Sequence, residues 1–133
     1  MLTQIYTFGY GNRTSYDQLS SYFQEHSIGA LIDIRKSPKA WTRKWWKDKL
    51  EEFCQSCNVQ YLSAPELGNI SGKANWIPPD KEKADNKIDC LLKIDADNVV
   101  LLCAELDYKR CHRTEVAERL HKNIKGSSVF HLV

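Results

Sequence analysis

The sequence predicts a three-layer α/β fold, with a mainly parallel sheet of about five strands and helices on both faces. Short apolar runs alternate along the chain with segments whose apolar residues recur at helical spacing. One run, Ile28–Ile34, is interrupted only by Gly29 and Asp33, and such a run is typical of a strand buried on both faces. The order begins and ends with a strand and alternates throughout, which favours parallel strands joined by helical crossovers.

The first part of the chain contains two strands with a capped helix between them. Ile5–Phe8 is predicted as the first strand. Ser15 is a good N-cap, and Gln18 stands three residues later, which completes a capping box for the first helix. Ile28–Ile34 is the second strand, and Ser37-Pro38 ends it.

A second helix and a third strand occupy the middle of the chain. Thr42 is predicted to cap the helix, and Val59–Leu62 is predicted as the strand. Five residues share the apolar face of this helix, and Trp46 among them is expected in the core. They are Trp46, Leu50, Phe53, Cys54 and Cys57.

The remaining elements are two helices and two strands. Pro78-Pro79-Asp80 is an entry signal for the third helix. Val99–Cys103 is predicted as the fourth strand and Val129–Val133 as the closing strand, and Gly126 suits the C-cap of the last helix. The buried stripes of the two helices are Ala84, Ile88, Leu91 and Leu92, and then Val116, Ala117, Leu120 and Ile124.

Length and composition limit the classes of protein that the chain can represent. Its 133 residues fit a single α/β domain over 1–133 with one core. No apolar run approaches the roughly 20 residues that cross a bilayer, and the amino terminus lacks a secretory pattern. We therefore expect a cytoplasmic protein without membrane contact, whose five cysteines are reduced thiols. A net charge of +2 does not by itself imply nucleic-acid binding.

The carboxyl ends of parallel strands lie at one edge of the sheet, where ligands usually bind. Polar and ionisable residues follow the first four predicted strands, so we expect them to share one crevice. The candidate catalytic residues there are Cys103, Glu105 and His112. The candidate ligand-binding residues are Gly9, Tyr10, Asn12, Arg13, Asp33, Arg35, Glu66, Cys111 and Arg113.

Three arginines and two helix N-termini at this edge favour an anionic ligand. Arg13, Arg35 and Arg113 each offer a guanidinium fork that suits phosphate or carboxylate, and helix N-termini add unpaired N–H groups. The alternative is structural, because the same arginines could pair with Asp33, Glu66 and Glu105 instead.

Four parts of the chain match a known pattern: Thr7–Arg13, Leu31–Arg35 with Pro38, Leu67-Gly68, and Leu102–Glu105 with Cys111–Arg113. Together they resemble the domain-of-unknown-function 488 family, and their order and spacing fit over nearly the whole chain. The block Cys-Ala-Glu…Cys-His-Arg is quite specific. The resemblance implies a small, single-domain α/β protein of bacteria, archaea or their viruses, and it implies no particular reaction.

The chain also differs from the common pattern of these proteins at three positions. Tyr10 stands where relatives often carry histidine, Asn69 where a second glycine is usual, and Tyr108 where proline is often found. A mechanism that needs a histidine at position 10 is therefore not expected here.

Cys103 ends a strand before a helix, as the nucleophile does in sulfur-transfer and cysteine-phosphatase loops. The tight spacing of those loops is absent, because six residues separate Cys103 from Arg110, the nearest arginine in the loop. Glu105 also places a negative charge where an anionic substrate would sit. A buried structural thiol is therefore the favoured interpretation of Cys103.

Neither a metal nor an organic cofactor is predicted. Cys54, Cys57, Cys111 and His112 could supply four zinc ligands, but the first two lie on the apolar face of a predicted helix. Adjacent Cys-His is also unusual spacing for zinc ligands. The two glycines at 9 and 11 do not complete a dinucleotide motif, because Thr14 takes the place of the third glycine.

Glu105 and His112 could act as an acid–base pair across the loop, since both residue types suit proton transfer near neutral pH. The alternative is that Glu105 caps the helix start and His112 hydrogen-bonds within the turn.

The segment Lys39–Lys47 interleaves basic and aromatic residues. Trp41 and Trp45 fall outside the apolar face and could stack on bases. Arg43, Lys44 and Lys47 could contact phosphates. A solvated helix whose tryptophans cover the neighbouring loop is the slightly favoured alternative.

Three hypotheses about function follow, and the sequence leaves open whether the chain is an enzyme and how it oligomerises. The first is a small intracellular enzyme that acts on a phosphate-bearing substrate, such as a nucleotide or nucleic acid. The second is a non-catalytic module that binds nucleic acid or a nucleotide through Arg13, Arg35 and Arg113 and the tryptophans of the segment Lys39–Lys47. The third is sulfur or redox chemistry at Cys103 and Cys111.

Overall fold

The computed structural model describes residues 2–40 and 42–133, within which five strands form one sheet. The strands are β1 (Gln4–Gly9), β2 (Ala30–Asp33), β3 (Gln60–Ser63), β4 (Asn98–Cys103) and β5 (Ser128–Leu132). They lie in the order β3-β2-β4-β1-β5, and each neighbouring pair is parallel. The predicted parallel sheet of about five strands is confirmed.

Four α-helices cover the two faces of the sheet, as the described residues show. They are α1 (Asp17–Glu25), α2 (Lys47–Ser56), α3 (Lys81–Leu92) and α4 (Arg113–Lys122). The apolar residues of α1 and α2 pack into one core cluster, and those of α3 and α4 pack into a second. Among the described residues, each helix is too short or too polar to cross a bilayer.

Strand β4 lies at the centre of the sheet, and its residues alternate between the two clusters. Val99 and Leu101 belong to the α3–α4 side, whereas Val100 and Leu102 belong to the α1–α2 side. Successive side chains of a strand point to opposite faces, so the two clusters flank the sheet. This arrangement confirms the predicted three-layer architecture.

The start of α1 and the end of α4 differ from the sequence predictions. The capping box is wrong: Tyr16 is the N-cap residue, and Ser15 Oγ accepts only from the N–H of Asp17, at 3.3 Å. The Gln18 side chain instead donates to Val133 O and the Tyr22 hydroxyl. At the other end, α4 reaches its C-cap at Asn123, and Gly126 lies in the turn before β5 with φ +83°.

The tryptophan segment is also arranged differently. Thr42 precedes a short 3-10 helix, Arg43–Trp45, and α2 begins only at Lys47. Trp45 is fully buried while Trp46 is half-buried, which reverses the predicted assignment. The indole of Trp45 stacks on Tyr10 at 4.8 Å and donates to the carbonyl of Arg13. It is therefore not free to stack on a base, and Trp41 lies outside the described residues.

Candidate functional site

A crevice of about 700 Å³ lies at the carboxyl edge of the sheet. Because β4 is flanked by β1 and β2, the loops after these three strands meet there. The loop after β3, residues 64–79, contributes a further wall. The crevice is lined by Tyr10, Gly11, Asn12, Arg35, Lys36, Ser37, Lys39, Asn69, Gly72, Lys73, Cys103, Ala104, Glu105, Leu106, Arg110, Cys111 and His112.

Most of the candidate residues predicted from sequence line this crevice, and some do not. Those that do are Tyr10, Asn12, Arg35, Cys103, Glu105, Cys111 and His112. Those outside its lining are Gly9, Arg13, Asp33, Glu66 and Arg113.

Arg35 lines the crevice, but its charge is balanced by a buried partner. Its Nε and Nη2 donate to the two carboxylate oxygens of Asp33 at 2.8 and 2.7 Å, and Nη1 donates to the carbonyl of Trp45 at 2.6 Å. Burial by itself would lower the pKa of Arg35. The hydrogen bonds and negative charge of Asp33 have the larger combined effect, so the pKa is raised overall. The Tyr61 hydroxyl donates to the same carboxylate at 2.5 Å. The structural alternative therefore holds for Arg35 and Asp33.

Within the described residues, Arg113 and Arg13 donate to backbone carbonyls and to one glutamine side chain rather than to carboxylates. Arg113 is fully buried, with Nη1 donating to Glu105 O and Nη2 donating to Leu106 O at 3.1 Å. Arg13 donates from Nε to Gly9 O at 3.4 Å and from Nη1 to the Gln18 side chain. Both arginines thus hold the loops that form the crevice.

The loops after β1 and β4 touch through their backbones, and this contact requires glycine at position 9. A Cβ on Gly9 would lie 1.8 Å from the carbonyl oxygen of Glu105 and 2.8 Å from Nη1 of Arg113. Gly11 serves the turn that follows, with φ +55°. The glycines therefore support the close approach of another protein loop.

His112 and Glu105 form no hydrogen bond with each other within the described residues. Nε2 of His112 lies 3.2 Å from Ile34 O and 3.0 Å from Leu67 O, while Nδ1 lies 3.8 Å from the sulfurs of both Cys103 and Cys111. The Glu105 carboxylate is exposed and accepts from Asp107 N at 3.3 Å. The alternative in which Glu105 caps α4 is wrong, because the N-cap residue is His112.

The buried thiols of Cys103 and Cys111 titrate differently. The pKa of Cys111 is lowered, mainly by its hydrogen bond with Cys103. A hydrogen bond with His112 and the N–H and charge of Arg113 also lower this pKa, whereas burial raises it. The hydrogen bond with Cys111, together with burial, raises the pKa of Cys103. The two pKa values therefore shift in opposite directions, and Cys111 is the more acidic thiol of the pair.

The four-ligand set that combines Cys54 and Cys57 with Cys111 and His112 does not form. Cys54 packs in the α1–α2 cluster, whereas Cys103 and Cys111 pack on the α3–α4 side of the sheet. Burial is the main cause that raises the pKa of Cys54, to about 12, as expected for an inert thiol.

Sequence reasoning missed four cationic side chains that face the crevice and, within the part of the chain that the structure describes, have no paired carboxylate. They are Lys36, Lys39, Lys73 and Arg110. Lys36 and Lys39 could have been found, because they directly follow the second strand and so belong to the same edge. Lys73 could not have been found in this way, because its position at the crevice depends on how the long loop after β3 folds.

Comparison with known proteins identifies the family. Residues 15–120 match the family model described as "Domain of unknown function DUF488". The match includes Asp33, Arg35 and the block from Cys103 to Arg113, and it begins after the glycine loop that follows β1. Neither a curated protein nor a solved structure matches the chain significantly.

Proposed function

The chain belongs to the DUF488 family, and from the geometry of the crevice we propose that it binds a phosphate-bearing small molecule there. The observation that carries this proposal is the imbalance of charge in the lining. Five basic side chains and one carboxylate, Glu105, face the crevice among the described residues. The buried carboxylate of Asp33 neutralises Arg35, so the other four cations are available to bind an anion.

The four available cations surround the opening from three loops. Lys36 and Lys39 follow β2, Lys73 belongs to the loop after β3, and Arg110 belongs to the loop after β4. All four are exposed, so they keep their hydration until a ligand arrives. Arginine and lysine are the side chains that most often bind phosphate, and cations that converge on one point attract it at long range.

A nucleotide-sized ligand fits this crevice better than a nucleic-acid strand does. The volume of about 700 Å³ is in the range of small-molecule sites. Single strands typically stack their bases on exposed aromatic side chains, and Trp45, one of the two tryptophans expected to do so, is buried against Tyr10.

The other lining residues would orient the ligand. The Asn12 amide offers neutral hydrogen bonds at the rim. If a reaction follows binding, Glu105 is the group placed to accept a proton from water or from a substrate hydroxyl. His112 is less suited to that role, because both of its ring nitrogens already have protein neighbours.

Titration calorimetry at low salt tests the proposal with inorganic phosphate, a nucleoside monophosphate and the matching uncharged nucleoside. We expect the two phosphate compounds to bind and the nucleoside not to bind. Lys36→Gln and Arg110→Gln should each weaken binding about tenfold, because a charge-assisted hydrogen bond contributes about 1.5 kcal/mol. Affinity should also fall as salt is added.

Lys47→Gln is the matched control, because Lys47 is an exposed lysine outside the crevice lining. It should leave affinity unchanged. The proposal would be contradicted if neither phosphate compound bound at low salt. It would also be contradicted if Lys47→Gln and Lys36→Gln lowered the affinity equally.

A further inference from the structure

We propose that Cys103, Cys111 and His112 form a zinc site at the floor of the crevice, with the fourth coordination position open to the crevice. The two sulfurs and Nδ1 of His112 lie within 4.8 Å of one another. The proposal needs no anionic ligand and therefore does not rest on the proposed function.

The spacing of the three atoms suits a tetrahedral zinc ion. Bonds of about 2.3 Å to sulfur and about 2.0 Å to nitrogen place those ligand atoms about 3.6 Å apart. In the structure, Nδ1 of His112 is 3.8 Å from each sulfur. The nitrogen–sulfur distances therefore fit after a shift of a few tenths of an ångström. The two sulfurs lie within 4.8 Å of each other, and closing to the roughly 3.8 Å between two thiolates on a tetrahedral zinc is within the reach of side-chain rotation.

The hydrogen bonds of His112 prepare Nδ1 to bind a metal. Carbonyl oxygens can only accept, so the ring proton must be on Nε2, which faces Ile34 O and Leu67 O. In the neutral ring Nδ1 then carries the lone pair, and it lies 3.8 Å from each of the two sulfurs. A ligating histidine typically donates its other N–H to a backbone carbonyl or carboxylate, which fixes the tautomer and the ring orientation.

The backbone between Cys111 and His112 explains how adjacent residues can serve as ligands. Consecutive residues of an extended chain point to opposite sides. Here Cys111 is extended, with φ −123° and ψ 140°, and His112 is helical, with φ −62° and ψ −15°. The chain turns between them as α4 begins, so both side chains face Cys103.

The surroundings of Cys111 favour a thiolate ligand. Its sulfur accepts from the N–H of Arg113 at 3.5 Å, at the positive end of α4. Binding of one Zn²⁺ to two thiols and a neutral imidazole would release both thiol protons to solvent, and the complex would carry no net charge.

The donor set and its position indicate an open site. Two thiolates and an imidazole suit zinc better than calcium or magnesium, which prefer oxygen ligands. Structural zinc sites have four protein ligands, whereas catalytic sites have three and keep one position for water. Within the described residues the cluster contains three ligands, and all three line the crevice. Water or a ligand oxygen would take the fourth position, where the metal acts as a Lewis acid.

The test is zinc binding by the full chain, kept reduced, stripped with a chelator and titrated against a chromophoric zinc indicator. We expect about one zinc ion per chain. Cys103→Ser and Cys111→Ser should abolish this stoichiometric binding. Cys90→Ser and Cys54→Ser are the matched controls and should retain it, because one thiol is exposed and the other lies across the sheet.

A measurement on the unmodified chain covers the case in which a cysteine variant does not fold. Zinc should protect Cys103 and Cys111, but not Cys90, from alkylation, as mass spectrometry can show. Cobalt(II) should give the visible absorption of a tetrahedral thiolate site, and azide should change that spectrum by entering the open position.

Three results would overturn the proposal. The first is substoichiometric zinc binding by the reduced wild-type chain. The second is full binding by both Cys103→Ser and Cys111→Ser. The third is a cobalt spectrum that azide does not alter, which would reject the open position.

Discussion

At the scale of the residue, burial decides what a charge pair does. The shortest nitrogen–oxygen distances of two ion pairs are alike, at 2.7 Å between Arg35 and Asp33 and 2.6 Å between Arg43 and Asp48. The first pair is 5% and 0% exposed, whereas the second is 60% and 55% exposed. Water screens the exposed pair, but it cannot replace either partner of the buried one.

Asp33→Asn should therefore destabilise the protein by about 3 kcal/mol, because it leaves the guanidinium of Arg35 buried without a counter-charge. Urea unfolding of the variant and the wild type measures the difference. Asp48→Asn is the control and should leave the midpoint unchanged. Equal small effects of the two substitutions would mean that Asp33 does not stabilise the fold through its charge.

At the scale of the element, the helix starts show which caps form. Asp80 Oδ1 accepts from the N–H of Lys83 at 3.1 Å, which is an N-cap bond at the start of α3. Ser15 precedes α1 by two positions and makes no such cap. Asp and Ser are both common N-cap residues, so residue type alone does not show which of the two caps its helix. The local backbone conformation decides it.

Asp80→Ala should lower the free energy of unfolding by about 1 kcal/mol, the usual cost of losing an N-cap side chain. Ser15→Ala should have a clearly smaller effect, because its one bond to the backbone, from the N–H of Asp17, is long at 3.3 Å and Ser15 is not the N-cap residue. Chemical denaturation of both variants provides the comparison. A larger loss for Ser15→Ala would show that the capping box forms in solution.

At the scale of the whole molecule, His131 joins the edge strand β5 to the rest of the fold. Its Nδ1 lies 2.7 Å from Thr7 Oγ1 on β1, and its ring stacks on Tyr108 at 4.2 Å. Burial is the main cause that lowers the pKa of His131 below its ordinary value; the charge of Arg113 adds to it, and Glu118 opposes it.

A lowered histidine pKa makes the folded state bind fewer protons than the unfolded state. The stability from the neutral ring is present above an unfolded pKa of about 6.5, and it is lost as the pH falls through that value towards the folded pKa. Unfolding measured at about pH 5 and about pH 8 should show this loss, and His131→Gln should reduce it. If the stability of the variant depended on pH as that of the wild type does, other groups would be responsible for the loss of stability in acid.

The candidate site could be predicted in part. The loops that meet at the crevice follow from strand ends, so Tyr10, Arg35, Cys103 and Glu105 could be placed together from the sequence. The hydrogen-bond partners of each side chain could not be predicted from the sequence. Arg113 was expected to face a ligand or a carboxylate, and it holds two backbone carbonyls instead.

The sequence by itself determined the order of strands and helices, their buried stripes and the edge at which polar residues gather. These features depend on periodicity and turn residues, which are local properties of the chain. Only the tertiary structure decided that Trp45 is buried, that Lys73 reaches the crevice and that His112 meets Ile34 and Leu67. The physical reason is that such contacts join residues far apart in the chain, and they form only once the order β3-β2-β4-β1-β5 brings the loops together.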